Sequence, residues 1–93
     1  MAKARFTKWA AIFEFEDAEI TQIINIVSSG GNAVAALAGL FAAFGITAPA
    51  APIAAAVSAL LKMGAIFLRG CNSQKKGVFV HVLGYGVPWC RPR

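Results

Sequence analysis

From Ile20 to Leu61 the chain carries no charged residue. Few folds accept such a stretch. A soluble monomer sets polar side chains along the outer face of its helices and strands. Here the second half of the stretch is almost wholly Ala, Gly and large apolar residues. Some of that surface needs a cover, which is lipid, a partner or a second copy. Composition sharpens the point. Hydrophobic residues make up 58% of the 93 residues, against roughly 45–50% in a typical domain. Charged residues make up 14%, against about 25%. A chain this short forms one small domain, residues 1–93, and buries only about 60–70% of its unfolded surface.

The stretch reads as a helical hairpin. Asp17 suits an N-cap, and Glu19 sits in the first turn, where the helix dipole favours an anion. Ile20, Ile23, Ile24 and Val27 follow at helical spacing. Thr21, Gln22, Asn25, Ser28, Ser29 and Asn32 form a polar, uncharged face. The predicted helix covers residues 17–46, with a break near 28–32, where Gly30 and Gly31 together cost about 2 kcal/mol of helix propensity relative to Ala. Val34, Leu37, Phe41 and Phe44 make a large-residue stripe. Gly31, Ala35, Gly39 and Ala43 make a small-residue stripe, the pattern that lets a second helix approach closely. Thr47, Pro49 and Pro52 mark a turn, because Pro stops one helix and suits the first turn of the next. A second helix is expected over residues 52–69, with Lys62 and Arg69 toward its C-terminal end and Gly70 as its stop.

The flanks read as strands. Ile12-Phe13-Glu14-Phe15-Glu16 alternates apolar with acidic, the period of a half-buried strand. An amphipathic helix over residues 6–13 is the competing pattern, but the alternation favours one strand over residues 5–16. Residues 78–83 are rich in β-branched side chains and predict another, which Pro88 should end. The expected fold is mainly α, a β-α-α-β chain whose Ala/Gly-rich hairpin assembles as an oligomer.

Charge narrows the partners. The formal net charge is +5 and the pI about 9.8. Nucleic-acid binders carry Lys and Arg in stripes or interleaved with aromatics, whereas this chain keeps its cations at its ends. Nucleic acid is therefore not expected. Lys3, Arg5, Lys8, Lys75, Lys76, Arg91 and Arg93, with Trp9, Tyr85 and Trp89, suit the interface of an anionic membrane. The start is not a convincing signal peptide, because Glu14, Glu16 and Asp17 interrupt the apolar run. The expected location is a membrane, or outside the cell without a recognisable leader after cytoplasmic storage.

No chemistry is written along the chain. His81 is the sole histidine and has no nucleophile or carboxylate near it in sequence. Cys71, Cys90 and one His fall short of the four ligands of a structural zinc site. The glycines match no phosphate-loop or dinucleotide spacing. No enzyme activity, cofactor or metal is expected. A Cys71–Cys90 disulfide is expected instead, pinning the C-terminal segment to the end of the second helix.

In composition the chain resembles small cationic bacteriocins and other helical pore formers, and also phage holins. The likeness includes no diagnostic motif, so it assigns no residue. The function expected is membrane action by an oligomeric helical pore former or bacteriocin-like toxin, with the polar face of the first helix lining a lumen. A soluble assembly of helical hairpins and a holin-like membrane protein are the alternatives.

Overall fold

Alternation along two strands builds the middle of the molecule. The computed structural model describes residues 2–46, 50–84 and 87–93. The order is β1 (Lys3–Phe6), β2 (Ala10–Phe15), α1 (Asp17–Ser29), α2 (Ala33–Ala43), α3 (Ala50–Cys71), β3 (Val78–Leu83) and β4 (Val87–Pro92). All four strands form one antiparallel sheet in the order β1-β2-β3-β4. Phe13 pairs with Val80 and Phe15 with Val78, so the apolar phase of β2 meets the apolar phase of β3 on one face. The helices cover that face.

The mainly α, β-α-α-β expectation is therefore corrected. Among the described residues the order is β-β-α-α-α-β-β, three helices and a four-stranded antiparallel sheet, an α/β fold. Each miss has a physical cause. Residues 5–16 are not one strand, because the chain turns at Thr7. Its hydroxyl accepts the backbone N–H of Trp9 and of Ala10, at 3.3 and 3.0 Å. A Thr-Lys-Trp turn lacks the Gly, Asn or Pro that marks a hairpin in a sequence. At the other end Pro88 does not stop the sheet. It lies within β4, the outermost strand, where a missing N–H costs no ladder bond.

The helices differ in detail too. Glu16, not Asp17, is the N-cap of α1, and its backbone N–H donates to Glu19 Oε1 at 2.9 Å. Asp17 instead accepts from Asn72 Nδ2 at 2.8 Å, and Asn72 Oδ1 accepts the Gly77 N–H at 2.9 Å. This chain of bonds ties the start of α1 to the connection before β3. Helix α1 ends at Gly30 in the left-handed conformation, φ 73°. Helix α3 runs on to Cys71 rather than stopping at Gly70, and it bends at Gly64, whose φ of 77° and ψ of 165° are not helical. The turn expected at Thr47 and Pro49 lies outside the described residues.

Aromatic stacking fills the core. Phe41 of α2 lies 5.8 Å from both Phe13 and Phe15, centroid to centroid, and all three rings are buried. Ile20 and Ile23 of α1, Leu60 and Leu68 of α3, and Val78, Val80 and Val82 of β3 close around them. Burying a large apolar side chain stabilises by about 1.5–3 kcal/mol. Cys71 and Cys90 form a disulfide with a Cα–Cα distance of 6.2 Å, which fastens the end of α3 to edge strand β4.

Candidate functional site

The fold separates the chain's two unusual surfaces. One is the outer side of α2 and α3. Val34 is 58% exposed, Leu61 36%, Ile66 84% and Phe67 49%. Ala35, Ala36, Ala38, Gly39, Ala42 and Ala43 are exposed around them. This surface exists because both helices carry apolar residues well beyond the side they bury, α2 all round and α3 with Ser58, Lys62 and Arg69 interspersed. The sheet covers one side of each and leaves the other open. Among the described helices α3 alone is long and apolar enough to cross a membrane, and only 28% of that segment is buried. Lys62 and Arg69 are its cations, both exposed.

The small-residue stripe belongs to this open surface. Gly31, Ala35, Gly39 and Ala43 are all exposed, and a Cβ at Gly31 or Gly39 would meet no atom within 4 Å. Among the described residues no second helix lies against Gly31 or Gly39. Leu37 and Phe41 pack α2 instead. The polar face of α1 also points outward: Thr21, Gln22, Asn25, Ser28 and Ser29 are exposed, as is Asn32, the N-cap of α2. Several of them back-bond to their own helix. Thr21 Oγ1 donates to the Asp17 carbonyl at 2.7 Å, and Ser28 and Ser29 donate to the Asn25 and Ile26 carbonyls. Thr21 and Asn25 border a depression of about 510 Å³ shared with Asp17, Arg69, Ser73 and Lys75.

The second surface is the sheet face turned away from the helices. Registers place Lys3 beside Glu14, Arg5 beside Ile12, Glu14 beside Phe79, and Phe79 beside Arg91. His81 stands between Ile12 and Trp89. The two ends of the chain thus meet on one face, around a depression of about 290 Å³ lined by Lys3, Arg5, Glu14, Phe79, His81 and Arg91. The Arg91 guanidinium lies 4.4 Å from the centre of the Phe79 ring. Its Nε donates to His81 Nε2 at 3.2 Å. Burial, and then the Arg91 charge, lower the His81 pKa from its usual value, which favours the neutral ring that accepts that bond. Arg93 pairs with Glu14 at 3.2 Å.

The residues expected at a lipid interface are therefore divided. Lys3, Arg5, Trp89, Arg91 and Arg93 belong to the sheet side. Lys8 and Trp9 sit in the β1–β2 turn, with the ammonium 5.3 Å from the Trp9 ring. Lys75 and Lys76 sit in the connection before β3. Tyr85 lies outside the described residues. Sequence reasoning missed Ile12, Glu14, Phe79 and His81 as members of a common surface. The signal was the two-residue spacing of Lys3 and Arg5, of Phe79 and His81, and of Trp89 and Arg91.

Among the described residues no group of three or more His, Cys, Asp or Glu side chains stands together. No protein family, curated protein or solved structure matches this chain.

Proposed function

We propose that this is a small cationic membrane-active protein that works as an oligomer, in the manner of a pore former or bacteriocin-like toxin. One observation carries the reading: a largely apolar helical surface with Val34, Leu61, Ile66 and Phe67 open to solvent, and with Lys62 and Arg69 as the cations of α3. In water such a surface is costly, at about 25 cal/mol for each Å² of apolar area left wet. Lipid removes that cost. Lys62 and Arg69 extend their apolar stems along the helix and hold their charges at headgroup level. The net charge of +5 draws the molecule to anionic lipid. Neighbouring copies then pack through the Gly31–Ala35–Gly39–Ala43 stripe, and the polar face of α1 turns to any water-filled lumen. The protein acts at the membrane or outside the cell.

A second reading has its own support. Gly64 bends α3 and Lys62 interrupts its apolar run, and both features weaken a membrane span. In that reading copies of the chain cover the same helical surface in water and form a soluble assembly.

Dye release from vesicles, beside sizing in detergent-free buffer, tests the two. Membrane action gives leakage from anionic vesicles above that from zwitterionic ones, and high salt reduces the difference. A discrete soluble oligomer that leaks neither vesicle overturns membrane action in favour of assembly.

A further inference from the structure

We propose that the open face of the sheet binds single-stranded nucleic acid. This goes beyond membrane action and rests on the opposite side of the molecule. The face has the two components such binding uses, cations for phosphates and flat rings for bases. Lys3, Arg5 and Arg91 ring the depression. The acid among them, Glu14, is paired with Arg93. The face is therefore net positive. Trp89 is 48% exposed, and its ring centre lies 4.9 Å from that of His81. The Trp89 ring offers a stacking surface beside the cations, with the His81 ring tilted 43° to it.

Shape and polarity decide the occupant. The four strands span about 14 Å at ~4.8 Å spacing, and a four-stranded sheet of that width takes about two or three stacked bases. A DNA duplex hides its bases from such a platform and would leave the rings unused. A bilayer is the other anionic surface to consider. The largest exposed apolar residues of the helices, Ile66 and Phe67, lie on α3, across the sheet from this depression. A bilayer that takes up the helical surface cannot also touch the far face of the sheet. His81 Nε2 accepts from Arg91 Nε, which leaves the Nη groups of the guanidinium to donate to a phosphate.

The test uses the full chain and fluorescein-labelled oligo(dT) and oligo(U) of ~8 nucleotides, within the usual site sizes. Fluorescence anisotropy should give saturable binding whose affinity falls with salt, at a log–log slope of about −2 for three phosphate contacts. Trp89→Ala should weaken binding roughly tenfold, the loss of one stacked base. The pair Arg5→Gln and Arg91→Gln should reduce the salt slope toward about −0.7. Lys75→Gln with Lys76→Gln, off the face, should leave the slope unchanged. Circular dichroism confirms that each variant is folded; if Trp89→Ala is not, Trp89→Leu replaces it.

Equal losses from the on-face and off-face charge pairs, with no effect of the Trp89 substitution, would mean attraction by net charge alone and overturn the proposal. So would absence of binding at low salt. Co-sedimentation with anionic vesicles that depends on Arg5 and Arg91 while oligonucleotides do not bind would reassign the face to lipid. Leakage by the helical surface is read separately, so failure here leaves the membrane reading intact.

Discussion

Ile66→Asp separates the apolar helical surface from the core. Ile66 is 84% exposed, so the fold hardly uses it. Surface substitutions of that kind change stability by less than about 0.5 kcal/mol. The lipid-bound state is different. Full burial of an Ile side chain contributes about 1.5–3 kcal/mol, and most of that is still to be gained at a position so exposed. A carboxylate in the apolar region adds a penalty of about 2.5–3.5 kcal/mol at the centre of a membrane helix and less toward its ends. Together the change should weaken partitioning by about 4 kcal/mol, roughly a thousandfold. The assay is co-sedimentation with anionic vesicles across a lipid titration, beside a thermal melt in buffer. We expect an unchanged melt and loss of vesicle binding. A variant that binds vesicles like the parent refutes lipid contact through α3. A melt lowered by more than 10 °C would instead mean that Ile66 is packed.

Two further predictions test the fold. Gly77→Ala should destabilise by about 2–4 kcal/mol in a denaturant titration, because φ is 97° there and a Cβ would run into the Phe15 carbonyl and the Arg93 side chain. Gly39→Ala is the matched control: its Cβ meets open space, and it should stabilise by up to about 1 kcal/mol through helix propensity. For Cys71 and Cys90, thiol titration of the non-reduced, denatured protein should find no free thiol. Reduction should cost about 3 kcal/mol for a sequence separation of 19 and lower the melting temperature by more than 10 °C; two reactive thiols per chain would contradict the bridge.

Much of the helical segment was legible because its signals are local. The Ile20, Ile23, Ile24 spacing fixes the buried side of α1, and Gly30 ends that helix through its own backbone freedom. The strands at the two ends were read less well. A turn made by the Thr7 hydroxyl has no composition signal, and Pro88 is compatible with a strand only if that strand lies at an edge. Edge position is a property of the sheet, not of the residues around Pro88.

The candidate surfaces show the same division. The sequence by itself determined that residues 20–61 carry no charge, and hence that some apolar surface stays uncovered in a lone molecule. It also determined which residues alternate, Phe13 and Phe15 against Glu14, because side chains in a strand point to opposite sides in turn. Only the tertiary structure decided where those properties fall. The small-residue stripe lies outside because the larger Leu37 and Phe41 gain more by burial, Phe41 against the rings of Phe13 and Phe15. Cations at the two ends of the chain, which argued against a nucleic-acid surface, share a face because β2 and β3 pair at the centre and bring β1 and β4 to either side. That pairing is a long-range contact, fixed by burial of β2 and β3 against the helices, and no window of sequence contains it.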